Sequence, residues 1–336
     1  MATRPCFSTT LLFRPSSVWL AKPRLNFGRS PRGYLSIPTT KSGRSYGSLR
    51  SKLPHKSWDS HMHVVEPRYP VVANAAYEPT PHTIRDAIEF ETSLGIENLV
   101  LVQPSIYGHD NSCLLDALRH LGPSRGRGVV VIDPANANIK TLREWHALGV
   151  RGVRVNFRSS GKVPSHDELR QILAEQARVI RPLGWMVQVH TSMSVIPLLE
   201  ELIPQLGVKV CIDHFGGPEL RNLMREQGEA FDPYSLREFS SLISLLKAGR
   251  TYVKISAPYR LSKDKGYQDL EMMIREFFKQ APNRVLYATD WPHTRFSDID
   301  IKPFTEMCLR ACGSQAVAER VFRLNAEELM DCSLKG

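Results

Sequence analysis

From residue 57 onward two hydrophobic rhythms alternate along the chain. Short runs rich in Val and Ile are separated by longer stretches whose apolar positions fall three and four apart. The runs occupy residues 57–64 (SWDSHMHV), 97–104, 126–133, 150–157, 184–191, 209–216, 251–258 and 284–292. Segments between them, such as TIRDAIEFETSLG and SLREFSSLISLLKAG, have helical spacing and end near Gly. Eight strand-then-helix units within residues 57–336 predict an α/β fold, a (β/α)8 TIM barrel. A doubly wound open sheet would share the alternation. However, the chain contains neither G-x-G-x-x-G nor G-x-x-x-x-G-K-[ST], which weakens a nucleotide-binding reading.

A barrel places its chemistry at the C-terminal ends of the strands, and the polar residues of this sequence cluster there. His61 and His63 close the first run, Gln103 and Ser105 the second, and Arg154, Asn156 and Arg158 the fourth. His190 ends the fifth, Asp213 and His214 the sixth, and Asp290 the eighth. Side chains alternate across a strand, so Val153, Val155 and Phe157 share a face suited to the helices, while Arg154, Asn156 and Arg158 share the face toward the barrel axis. Inward cations are expensive unless an anion or a carboxylate meets them. Tyr259 and Arg260 follow the seventh run, where loop packing and substrate contact fit equally well. His293, close after Asp290, is read as supporting it rather than reacting.

Charge changes the picture at the N-terminus only. The formal charge of the 336 residues is +10, but residues 1–58 carry 11 Lys plus Arg and no acid, leaving 33 basic against 34 acidic side chains in the rest. The body therefore lacks the electrostatic footprint of a nucleic-acid binder. Residues 1–56, basic and rich in Arg, Ser and Pro, read as a disordered leader with the features of a mitochondrial transit peptide; a cytoplasmic location is the alternative. No apolar run is long enough to span a bilayer, and the expected partner is a small-molecule substrate, with no nucleic acid and no membrane. The six cysteines form no C-x-x-C pair, which argues against a metal finger or a disulfide framework. Nothing in the sequence sets an oligomeric state.

Taken together, H-x-H after the first strand, His after the fifth, DHFG on the sixth and ATDWPH on the eighth resemble the amidohydrolase superfamily. VQPSIYGHDNSCLLDAL, GVRGVRVNF and VKISAPYRLS narrow the resemblance to its amidohydrolase-related branch, which includes 2-pyrone-4,6-dicarboxylate lactonases. The resemblance spans essentially all of residues 57–330 and implies a metal-dependent-hydrolase-like barrel that opens a lactone, carboxylated or sugar-derived, with water activated by Asp290. It further implies that His61, His63 and His190 surround the scissile carbonyl, and that Ser105, Arg154 and Arg158 bind substrate carboxylate or ring oxygens; Asn156 and His214 join them as candidate substrate contacts by their place at the strand ends.

His61, His63, His190 and Asp290 are also credible ligands for one Zn or Mn ion. The fourth strand offers no Lys or Glu to bridge two metals, and the lactonase subgroup is known for working with no required metal, so the expectation is no cofactor or a single divalent ion. One departure stands out: close relatives of the dicarboxylate lactonase carry a basic residue within the loop after the sixth strand, whereas this chain reads DHFGGPE, with Gly216, Gly217 and Glu219, which points to a monocarboxylate or a neutral lactone. Two other functions fit the same barrel, a zinc-dependent decarboxylase of an aromatic or unsaturated acid and a non-catalytic binding protein.

Overall fold

The computed structural model describes residues 49–332, apart from 76, 159, 160, 162 and 223–230. Every predicted run forms a strand: β1 Trp58–Met62, β2 Asn98–Val102, β3 Gly126–Val130, β4 Val150–Asn156, β5 Met186–His190, β6 Val210–Ile212, β7 Thr251–Ile255 and β8 Val285–Tyr287. They pair in parallel in chain order. The last strand returns to the first, as Asp290 N–H donates to His61 O at 3.0 Å and His63 N–H donates to Trp291 O at 2.9 Å. Between the strands run α1 Ile84–Leu94, α2 Ser112–Leu121, α3 Ile139–Leu148, α4 His166–Ile180, α5 Ile196–Leu206, α6 Phe239–Lys247, the single turn α7 Pro258–Leu261 and α8 Gln268–Gln280. The architecture is a (β/α)8 barrel.

The strands are shorter than the runs that predicted them. Residues at their C-terminal ends, including Asp213 and Asp290, leave the ladder and enter the loops above it. Capping boxes start two helices where the sequence offers them, Thr83 with Asp86 on α1 and Ser165 with Glu168 on α4.

Alternation sorts the apolar side chains into two separate cores. Outward residues such as Val153, Val187, Val189 and Val253 join Leu169, Leu199 and Phe277 of the helices. Inward residues Trp58, Val100, Met186, Cys211, Tyr252 and Leu286 fill the barrel, closed by Ala326, Leu329 and Met330. This apolar plug fills the lower interior, so inward polar residues collect toward the strand C-termini.

Beside the seam with β8, the pairing of β1 with β2 shifts register between Asp59 and Met62. Such a bulge re-aims the side chains beyond it. Asp59 meets Thr289 and, through it, Glu91 of α1, whereas His61 faces the interior. Asp59 accepts from His61 N–H at 2.9 Å and from Thr289 N–H at 3.0 Å. The Thr289 hydroxyl donates to Asp59 and accepts from Trp291 N–H at 3.0 Å. Burial, reinforced by the neighbouring Asp59, pushes the Glu91 carboxyl well above its ordinary value, favouring its neutral form in this apolar setting.

Residues 1–48 of the expected leader lie outside the described residues. Its end is part of the folded body: Leu49 and Leu53 are buried in the outer core, and a Cβ at Gly95 would come within 2.5 Å of Arg50 Cα. Among the described residues no helix is long and apolar enough to cross a membrane.

Replacing Thr289 by Val keeps the shape but removes the hydroxyl donor to the Asp59 carboxylate and the acceptor of the Trp291 N–H. Thr289→Val is expected to cost on the order of 1–3 kcal/mol; a denaturant midpoint equal to wild type would show that the seam does not need this hydroxyl.

Candidate active site

Above the inner core, residues from both ends of the chain converge. His61 and His63 bring their Nε2 atoms to 3.3 Å of each other. Asp290 Oδ1 lies 3.7 Å from His61 Nε2, 3.9 Å from His63 Nε2 and 3.9 Å from His214 Nε2. The other carboxylate oxygen is fully engaged, since Oδ2 accepts from Tyr259 OH at 2.6 Å and from Arg260 Nε at 2.8 Å. One oxygen is tied and the other is open to the histidines. Both Asp290 and His214 hold left-handed backbone, φ 63° and φ 50°, the kind of strain that concentrates at functional positions.

The histidines are oriented from behind. His63 Nδ1 donates to Val102 O at 2.7 Å, which leaves its Nε2 with a lone pair toward the site. His214 Nδ1 pairs with Ser256 Oγ at 2.7 Å. His190 stacks edge-on against His214, with ring centroids 4.8 Å apart, and its Nδ1 lies 3.5 Å from Arg154 Nη2. Arginine only donates, so His190 Nδ1 accepts and its proton sits on Nε2. Arg154 also donates to Gln103 O at 2.8 Å.

Burial sets the charge states. It lowers His63 to about 4, assisted by Arg154, and holds His61 and His190 well below the ordinary histidine value. The imidazoles are therefore neutral. Burial alone would raise Asp290, but the histidine rings and Arg260 take it well below the usual carboxylate range. With the imidazoles neutral, the permanent cation Arg260 is the contact that keeps Asp290 ionised. Asp213 lies beneath, also held well below its ordinary value against burial, by the Lys254 ammonium.

These groups open into a cavity of about 420 Å³ whose wall includes Arg154, Arg158, Arg260 and Arg295 and, among the described residues, a single carboxylate, Asp290. Ser105 and His190 line it too. Asn156 lies apart, in a neighbouring cavity that shares Ser105 and Arg154. Arg158, although on the inward parity of β4, sits at the rim with its guanidinium 3.4 Å from Glu219. Tyr259 and Arg260, for which the sequence left loop packing and substrate contact open, hold Asp290, and Lys254, which the sequence pattern did not single out, lies against His61. The Arg260 side chain, following Pro258 and Tyr259 in one helical turn, is the element that aims Asp290.

His61, His63 and Asp290 can each offer a donor atom to one metal ion. A tetrahedral site with bonds of about 2.0–2.2 Å has ligand-to-ligand edges of about 3.3–3.6 Å; the observed separations of 3.3, 3.7 and 3.9 Å match or slightly exceed these, so a small closing of the Asp290 side chain would complete the fit. His190 is not part of this donor group. A second group of possible donors comprises His61, Asp213 and His214.

The fold and this constellation define a hydrolase-type barrel with a histidine–aspartate centre. The chain belongs to the amidohydrolase family, which it matches over residues 58–331. It is 30% identical to a 4-sulfomuconolactone hydrolase of Hydrogenophaga intermedia, over 86% of this chain and 93% of that protein. It is also 30% identical to a 2-pyrone-4,6-dicarboxylate hydrolase of Comamonas testosteroni, over 74% of this chain and 80% of that protein. Among solved structures, a Pseudomonas putida protein assigned as a 2-pyrone-4,6-dicarboxylic acid hydrolase superposes with a TM-score of 0.71 at 27% identity, covering 84% of this chain and all of that one.

The floor of the site requires a glycine. Gly217 has φ 70°, accepts from Met193 N–H, and a Cβ there would lie 2.1 Å from Thr191 O. Gly217→Ala is expected to cost on the order of 1–3 kcal/mol or more, read as a lowered melting temperature; an unchanged melting point would show that the loops after β5 and β6 are not locked together here.

Proposed function

We propose that this protein is a lactonase that opens the ring of an anionic lactone with water activated by Asp290. The observation carrying this reading is the division of labour on one carboxylate. Oδ2 is fixed by Tyr259 and Arg260, while Oδ1 faces three imidazoles across gaps of 3.7–3.9 Å, too long for direct hydrogen bonds. Water held on Oδ1 adds to the carbonyl carbon as its proton passes to Asp290. The developing oxyanion is stabilised by His190 Nε2–H and by the guanidinium groups in the wall. Collapse breaks the ring C–O bond, and the proton held by Asp290 goes to the departing alkoxide. A carboxyl with a depressed pKa is a modest base but a ready acid for that last transfer.

The arginines support a substrate carrying a carboxylate or sulfonate. Arg154 is the most deeply placed, only 7% exposed, and its Nε has no partner among the described residues. Arg158 is offset by Glu219, in keeping with a substrate of lower charge than a dicarboxylate. If a zinc ion is held by His61, His63 and Asp290, it would polarise the carbonyl and acidify bound water. Residues 1–48 we read as an organelle address, since Leu49 and Leu53 belong to the folded body; a fluorescent fusion of that segment should accumulate in mitochondria, and a cytosolic signal would rule the address out.

On a panel of lactones, with metal content measured on the same preparation, Asp290→Asn should lower kcat by roughly 10²–10⁴-fold without unfolding the barrel. Arg154→Met should mainly raise KM for the anionic members. Wild-type turnover by Asp290→Asn would remove Asp290 as the base. Decarboxylation of an acid by the metal-loaded enzyme alone, with no lactone opened, would replace the lactonase reading.

A further inference from the structure

Lys254 is fully buried on the inward face of β7, beneath the histidines. Its Nζ donates to Gln188 Oε1 at 2.6 Å and lies 3.3 Å from His61 Nδ1 and 3.4 Å from Asp213 Oδ1. His61 Nδ1 is also 3.2 Å from Asp213 Oδ1. That nitrogen thus faces a group that only donates and a group that only accepts, and the hydrogen on His61 can satisfy one of them.

The two tautomers differ in how many contacts they leave mismatched. With the proton on Nδ1, His61 donates to Asp213, but Nδ1–H then confronts a Lys254 N–H at 3.3 Å. On the opposite side, the bare Nε2 of His61 confronts the bare Nε2 of His63 at 3.3 Å, because Val102 O fixes the His63 proton on Nδ1. With the proton on Nε2, both contacts become hydrogen bonds. Only the approach of His61 Nδ1 to Asp213 Oδ1 remains unfavourable, and the Lys254 ammonium lies against both atoms. Asp213 keeps a separate donor in Gln188 Nε2 at 3.0 Å.

We infer that Lys254 is a positioning residue that holds His61 with its proton on Nε2, so that His61 enters the site as a hydrogen-bond donor rather than as a metal ligand. The result is an unbroken chain of donors running Lys254 to His61 to His63 to Val102 O. Divalent metal binding at His61, His63 and Asp290 requires the opposite tautomer, which turns His61 Nδ1–H against Lys254. The second possible donor group, His61, Asp213 and His214, already has this ammonium against two of its members. Lys254 thereby biases a site whose ligand spacing suits zinc toward chemistry that does not depend on it. The catalytic consequence rests on the lactonase reading; the tautomer and the metal affinity do not.

Two measurements decide it. In the full chain with ¹⁵N-labelled histidine, freed of metal by chelation, two-bond ¹H–¹⁵N correlations should show His61, assigned by loss of its signals in His61→Asn, protonated on Nε2 and His63 on Nδ1. Protonation of His61 on Nδ1 would overturn the proposal, and this reading needs no Lys254 variant. Lys254→Met should move the His61 proton to Nδ1 and tighten zinc binding at least tenfold in competition with a chromophoric chelator; Lys254→Gln serves if the methionine variant does not fold. An unchanged zinc affinity in a folded variant would equally overturn it. If His61 and His63 show the expected tautomers but no lactone is opened, the lactonase reading fails and the role of Lys254 stands.

Discussion

Everything at the catalytic end of this barrel depends on the closure of β8 against β1. The pair of backbone hydrogen bonds linking His61 and His63 to Asp290 and Trp291 joins positions more than 220 residues apart in sequence. A parallel barrel needs such a seam to leave no open edge. Here the seam also fixes the distance between Asp290 and the imidazoles, because the residues that close the ladder are themselves residues of the candidate site. Asp59, Thr289 and Glu91 reinforce it from the helix side. A buried carboxylate there is sustained by two backbone N–H groups and a hydroxyl, so displacing either strand would leave a charge without donors.

A second consequence follows from the separation of the two cores. Apolar side chains fill the barrel interior to the level of Cys211, Tyr252 and Leu286. One inward position further along their strands come Asp213, Lys254 and, on β5 above Met186, Gln188. These polar groups are buried yet mutually paired, which is the condition for tolerating them in a low dielectric. The active site therefore rests on a polar layer and not directly on hydrocarbon. That layer gives the protein control over the orientation and hydrogen placement of His61 that packing alone would not supply.

The barrel was legible in the sequence because eight runs of β-branched residues alternate with helical periodicity, and His61, His63, His190 and Asp290 were legible because strand ends are where such a fold exposes polar groups. Other parts were hidden for physical reasons. The β1 bulge breaks the two-residue alternation locally, so nothing in WDSHM announces that Asp59 and His61 serve opposite sides of the strand wall. Lys254 sits in TYVKIS, where a lone lysine in a strand suggests a solvent-facing position; only the paired acid on β6 and amide on β5 make its burial tolerable. Tyr259 and Arg260 lie in a single helical turn whose direction no periodicity encodes. Leu49 and Leu53 fall in a basic, acid-free segment, and that composition obscures their place in the outer core.

Charge balance in the cavity explains why these hidden residues matter for specificity. Counting side chains in the wall suggests four cations for an incoming anion, but they are not equivalent. Arg260 is committed to Asp290, and Arg158 is offset by Glu219 at an exposed rim where an ion pair contributes little. Arg295 is exposed and packs over the Tyr77 ring, its guanidinium carbon 5.7 Å from the ring centre. Among the described residues, Arg154 alone of the four combines deep burial, an unpartnered Nε and contact with His190. A buried guanidinium whose attachments are a carbonyl and an imidazole has an unmet need for an anion. Under the proposed function, meeting that need with one acidic group of the substrate would place the bound ring between Arg154 and Asp290, beside the histidines. Affinity and reactivity would then be coupled through the same residue, because the group proposed to recognise the substrate also fixes the proton of His190.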